Sequence, residues 1–174
     1  QTKLLGAHNI LNIVAAAAVA CELGVDFEAI SYAVKTIEPV PHRLELKPMA
    51  GGRTIIDDAF NSNPEGARMA LQVLKTFAGS KKVLITPGMV ELGAREYEYN
   101  KEFGMQAAAV CDYIILVGPK RTIPIQEGLK TGNFPENRMF IAANLAEALQ
   151  KMHAIADEGS VVLFENDLPD TYNE

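Results

Sequence analysis

The stretch "IIDDAFNSNPEGARMAL", residues 55–71, decides the fold. An apolar pair runs into two adjacent acids, crosses Asn, Ser and Pro, and resumes with apolar positions at helical spacing. Asn63 offers a side-chain acceptor for a first helical turn. Pro64 behind it presets φ and lacks a donor that the first turn would leave unused anyway, so a helix is expected from about Pro64 to Phe77. Strand, polar tip and helix in this order form the first half of a parallel βαβ unit.

The same order repeats toward the C-terminus. Strand "KVLITPG" is followed by a helix from about Ala94 to Val110, strand "YIILVG", a helix near Ile123 to Leu129, strand "MFIA", a helix from Asn144 to Ala156, and strand "SVVLFE". Nearly continuous apolar strands separated by helices imply a mostly parallel sheet covered on both faces. Asn144 with Glu147 has the spacing of a capping box. In the other direction, "RLELKPM" and "RTIIDDAF" flank an "AGG" turn and read as a β-hairpin. Ahead of it lie two helices, Asn9 to Leu23 closed by Gly24, and "DFEAISYAVKTI" opened by Asp26 as N-cap. Pro39 and Pro41 end the second helix, since proline lacks the donor a helix interior needs and disfavours helical geometry in the residue before it. The expected fold is therefore α/β: a mostly parallel sheet with an N-terminal β-hairpin, preceded by a helical hairpin. The boundary between them falls near residues 38–42.

Of the 174 residues 48% are hydrophobic and 22% charged, enough to bury a core. The net charge of -6 and the lack of a Lys/Arg run argue against nucleic-acid or anionic-membrane partners and leave small molecules. "IVAAAAVACELGV" is too short and too Ala-rich to span a bilayer, so a soluble, cytoplasmic chain is expected. Cys21 and Cys111 sit in helical contexts without metal-ligand spacing and read as buried reduced thiols. The chain opens at Gln1 in the middle of a pattern, which is expected of a piece of a longer protein.

In open parallel sheets, ligands bind beyond the carboxyl ends of the strands. Here those tips read "DDAFNSN", "PGMVELG", "VGPK", "AAN" and "ENDLPD", all rich in polar groups. No G-x-x-x-x-G-K-[ST] loop and no G-x-G-x-x-G turn is present, so the chain alone should not hydrolyse ATP and a dinucleotide binder is disfavoured. A receiver domain would need a phosphorylatable Asp at a central tip, where "YIILVGPK" has Gly118 and Pro119. His8, His42 and His153 form neither a zinc pattern nor a Ser/His/Asp arrangement.

Taken together, "GAHNILN" opening a helix, "PHRLE" after the helical hairpin, "IIDDAFNSNP" and "PGMVELG" resemble, in that order and spacing, the C-terminal part of the Mur ligases. Within the family, "D-x-[FY]-N-x-N-P" and "M-x-E-L-G" are most similar to the branch that adds D-Ala-D-Ala to the UDP-MurNAc-tripeptide. The resemblance implies that residues 1–38 are the helical end of a central ATPase domain and 39–174 a Rossmann-like C-terminal domain. It implies ATP and Mg²⁺ as cofactors, both held mainly by an upstream domain, and as partners a UDP-MurNAc-peptide-like carboxylate and an amino acid or dipeptide. The reaction implied is acyl-phosphate formation followed by amide formation, with no catalytic residue in this stretch and no activity in it alone. By the same resemblance Asn12, with Asn9 and His8 beside it, reads the adenine, Arg43 contacts the nucleotide across the domain gap, and Asp58 holds the ribose. Asn61, Ser62 and Asn63 would face the amine substrate.

Each of these residues also has a plain structural use. Asn9 and Asn12 can decorate a helix start, Arg43 can be a surface strand residue, Asp57 and Asp58 a turn, and Asn63 an N-cap. The chain departs from the family at "FENDLPDTYNE", where a Lys-Gly-Ser-type string is usual, and at Asn100, where His is more frequent. A free-standing binding or scaffold module without ligase chemistry is the alternative reading.

Overall fold

The structure is a computed structural model and describes residues 1–167. Two helices come first, α1 (Ala7–Glu22) and α2 (Phe27–Thr36). Asp26 caps α2, its carboxylate accepting the Ala29 N–H at 2.9 Å. Neither helix contributes much to a core: α1 buries no residue and α2 buries only Ile30.

The segment after Pro39 turns sharply. His42 and Leu44 both take positive φ, 60° and 49°, a region that non-glycine residues seldom occupy. Leu44 is buried in the main core and holds this bend in place. Strands β1 (Glu45–Met49) and β2 (Arg53–Asp58) then form the expected antiparallel hairpin. Gly51 and Gly52, with φ of 79° and 68°, supply its turn.

Beyond the hairpin come α3 (Pro64–Lys75), β3 (Lys82–Thr86), α4 (Glu96–Ala108), β4 (Tyr113–Val117), α5 (Ile123–Thr131), β5 (Met139–Ala142), α6 (Leu145–Ile155) and β6 (Val161–Glu165). The sheet order is β1-β2-β6-β3-β4-β5, and every pair after the hairpin is parallel. From β2 through β5 the chain steps across the sheet in one direction, so right-handed crossovers put α3, α4 and α5 on one face. The step from β5 back to β6 runs the other way and puts α6 on the opposite face.

Two cores follow from this. Ile56, Leu84, Ile114, Leu116 and Leu163 pack under α3, α4 and α5, while Val83, Ile85, Ile115 and Val162 pack on Ala148 and Met152 of α6. Residues of one strand alternate between the two, as the pleat requires. Helices α4 and α5 touch through glycine: a Cβ on Gly128 would lie 2.0 Å from the Lys101 carbonyl oxygen, and one on Gly104 2.3 Å from that of Ile125.

Some expectations need correction. Cys111 is buried, but Cys21 is exposed on α1, a helix that buries none of its residues. The expected helix from Ala94 begins instead with a single 3₁₀ turn, Gly93–Arg95. At α6 the reciprocal cap is shifted by one residue: Asn144 accepts from Glu147 N–H at 3.0 Å, while the Glu147 carboxylate accepts from Ala143 N–H rather than from Asn144, at 2.7 Å. Of the "ENDLPD" tip, the residues from Leu168 onward lie outside the described residues, as does the rest of the "FENDLPDTYNE" departure.

Candidate functional site

The pleat separates the two acids of the opening stretch. Asp57 points to the outer side of the hairpin, where Lys47 donates to it at 2.6 Å and His42 Nδ1 lies 2.9 Å away. Partial burial works against its charge, but bonds from Lys47, Ala59 N–H and His42 outweigh that and keep the carboxyl below the usual range. Asp58 points the other way, toward α3. Its Oδ1 accepts the Leu44 N–H at 2.9 Å, which fastens the strained bend to the tip of β2.

Between the helical hairpin and the sheet lies a cleft of about 460 Å³. His8, Asn9, Asn12, Arg43, Asp58 and Asn63 all line it, although they come from α1, the bend, the tip of β2 and the start of α3. Asn9 is anchored by its amide to the Leu5 carbonyl at 2.7 Å and accepts from Asn12 at 3.3 Å. The Nδ1 of His8 is buried without a hydrogen-bond partner. Arg43 is exposed, stacked 4.3 Å over the Phe60 ring, and donates to the Asn61 carbonyl at 3.3 Å. Asn63 caps α3, accepting from Gly66 N–H at 2.9 Å.

Two residues with expected roles lie outside the lining. Asn61 is exposed and meets Arg43 through its backbone carbonyl. Ser62 turns inward, and its hydroxyl donates to Glu165 Oε1 at 2.5 Å.

Glu165 and Asn166 are the functional-site neighbours that pattern reading did not single out. Glu165 ends β6 in register with Asp58 and is fully buried. Burial and the adjacent Asp58 push its carboxyl well above the usual range; burial raises Asp58 as well, against the opposing Leu44 N–H bond. Asn166, buried with φ 68°, ties three segments together: its N–H donates to Asp58 O, its amide to Gly88 O, and its Oδ1 accepts the Ser62 N–H. An acid closing the apolar run "SVVLF" on its inward-facing register was the available signal. Its partner was not legible, because nothing in the sequence places β6 beside β2.

The "PGMVELG" loop beyond β3 is held by Asn100. This buried side chain accepts from Met89 N–H and donates to Met89 O and Glu96 O, each at 2.9 Å. The residue that departs from the family pattern is thus a loop anchor.

The family model described as "Mur ligase, glutamate ligase domain" matches residues 42–165, and the chain belongs to this family. It is 29% identical over 163 residues to the UDP-N-acetylmuramoyl-tripeptide--D-alanyl-D-alanine ligase of Bacillus subtilis, covering 92% of this chain and 35% of that one. Identity is also 29%, over 158 residues, to the UDP-N-acetylmuramoylalanine--D-glutamate ligase of Caldanaerobacter subterraneus, covering 91% and 33%. The crystal structure of MurF from Acinetobacter baumannii superposes with a TM-score of 0.79 at 26% identity, covering 95% of this chain and 36% of that one. The chain therefore spans about a third of the length of the relatives it matches. The expected α/β fold with its mostly parallel sheet is the observed one.

Among the described residues no three His, Cys, Asp or Glu side chains converge to hold a metal. No described helix is long and apolar enough to cross a membrane.

Proposed function

We propose that this chain is the closing part of an ATP-dependent, cytoplasmic Mur-type amide ligase of peptidoglycan precursor synthesis, binding nucleotide and positioning the amine substrate. The supporting observation is the cleft: His8, Asn9, Asn12, Arg43, Asp58 and Asn63, drawn from four separate segments, converge on one space of about 460 Å³. Residues 1–38 are assigned to the helical end of the ATPase domain and 39–174 to the C-terminal domain, so that the cleft lies at their junction. The strained bend at His42–Leu44 stands where that junction would hinge.

The chemistry of the lining suits a nucleoside. Asn12 spends one amide hydrogen on Asn9 and keeps a donor and an acceptor for a base edge. Asp58 retains acceptor capacity beyond the Leu44 N–H and can take ribose hydroxyls. Arg43 presents a planar cation, backed by Phe60, to a phosphate. Asn61–Asn63, at the cleft's rim, would face the amine. ATP's remaining phosphate contacts and Mg²⁺ are assigned mainly to an upstream domain, and the chain alone is expected to be inactive. The partners proposed are a UDP-MurNAc-peptide-like carboxylate and an amino acid or dipeptide.

The test is the complete ligase carrying Asp58→Ala or Arg43→Ala. Losing a charge-assisted contact to nucleotide should raise the KM for ATP by roughly tenfold to a hundredfold, equivalent to about 1.5–3 kcal/mol. Unchanged ATP kinetics in both folded variants would refute the assignment.

A further inference from the structure

We propose that Glu165 is a positioning residue that locks Asp58, at the cleft, to the Asn61–Asn63 loop. The proposal deepens the ligase reading and rests on it only for what the two ends bind: nucleotide at Asp58, amine at the loop.

The geometry is a continuous chain of contacts. Leu44 N–H donates to Asp58 Oδ1 at 2.9 Å, Asp58 lies in register with Glu165, and Glu165 Oε1 accepts the Ser62 hydroxyl at 2.5 Å. Asn166 doubles the connection through the backbone, donating to Asp58 O at 3.1 Å and accepting from Ser62 N–H at 3.1 Å. The bend, the tip of β2 and the substrate loop are thereby joined across more than a hundred residues of sequence at the Ser62–Glu165 step.

Why a glutamate stands there is the informative point. Glu165 is fully buried, on the face of β6 that otherwise carries Val161 and Leu163. An apolar residue would fill that space at lower desolvation cost. What only a protonated carboxyl or an amide can do is accept from Ser62 with one atom and donate toward Asp58 with the other. Oε2, the atom left without a bond at good geometry, is the one available for that donation. The Asp58 carboxylate is then oriented by two donors, Leu44 N–H and Glu165, and keeps its charge directed at the cleft, where Arg43 is its cationic neighbour. If Asp58 is displaced, the Ser62 loop loses its anchor, and the reverse also holds.

Backbone amide exchange, followed by NMR on the full chain without nucleotide, tests this. Glu165→Gln preserves both the acceptor and a donor, so exchange at Leu44 and Ser62 should stay within about twofold of the parent. Glu165→Met fills the space and removes both functions. It should speed exchange at both amides by at least about tenfold while the β3 and β4 core amides are unchanged. If Met protects both amides as well as Glu does, Glu165 is only packing and the proposal falls. It also falls if Ser62 responds and Leu44 does not. Should the Met variant fail to fold, Ser62→Ala removes a single hydroxyl, and faster exchange at the distant Leu44 amide is the expected result; an unaltered Leu44 overturns the lock. None of these readouts involves nucleotide, so failure of the ligase reading would appear separately, in the ATP kinetics.

Discussion

Replacing Asn100 tests how the loop beyond β3 is held. Its side chain is 3% exposed and makes three bonds of 2.9 Å, two of them to the N–H and C=O of Met89, which is itself buried. Asn100→Ala orphans both Met89 groups. Each buried unsatisfied group costs about 1–3 kcal/mol, and water entering the vacated space recovers part of it, so a net loss of about 3 kcal/mol is expected. Asn100→Asp keeps an acceptor for the Met89 N–H but turns its other oxygen against two carbonyl oxygens, Met89 O and Glu96 O. It should be worse than Ala at neutral pH. It should recover as pH falls, because the protonated carboxyl regains a donor. Urea unfolding is the assay: with an m-value of about 2 kcal/mol/M, the Ala variant should lower the midpoint by about 1.5 M without changing m. A midpoint shift below about 0.3 M for Ala, or an Asp variant as stable as Ala at neutral pH, would refute the anchoring role.

The other predictions concern charge, packing and thiol access. Because the Glu165 carboxyl is raised in the folded state, its contribution is fully present below the unfolded glutamate value and is lost as pH rises through the folded one. Glu165→Gln should therefore flatten the rising-pH limb and be the more stable form at neutral pH, by on the order of 1 kcal/mol for every tenfold that folding tightens proton binding at Glu165, as read from unfolding midpoints across pH. Gly128→Ala places a methyl against the Lys101 carbonyl and should cost about 3 kcal/mol or more in thermal or urea unfolding, whereas Gly66→Ala, whose methyl meets only Asn63 at 3.6 Å or beyond, should be neutral or stabilising by up to about 1 kcal/mol. In the native chain a disulfide reagent should titrate Cys21 rapidly and spare Cys111, whose thiol is pushed up by burial; equal reactivity of the two would contradict the packing of α4 on the sheet.

What could be read from the sequence was local. The caps at Asp26, Asn63 and Asn144 act within three residues of themselves, so their side chains and the following helices were visible in one short window. Strand alternation is equally local, and it separates Asp57 from Asp58. The lateral order of strands is not: apolar runs of similar composition do not state which neighbours which, and the insertion of β6 between β2 and β3 hid the pairing of Asp58 with Glu165. Cys21 was misplaced for a related reason. The alanine-rich α1 has no sharply apolar stripe, so its pattern does not say which side is covered. The residues lining the cleft were legible only through likeness to a family, since Asn, Arg and Asp at loop tips have ordinary structural uses as well.

The place of β6 in the sheet also governs the order of events during synthesis. Strands β2 and β3 leave the ribosome long before β6, yet each has β6 as its parallel neighbour. Until residues 161–165 emerge, the hairpin on one side and β3-β4-β5 on the other have no strand to join them. The nascent chain must wait with two apolar edges open, a state prone to mispairing with other chains and favoured ground for chaperones. Closure is then a single late event that completes the sheet and delivers Glu165 and Asn166 to Asp58 and Ser62. A chain interrupted before residue 161 would lack its central strand and the anchor of its cleft together.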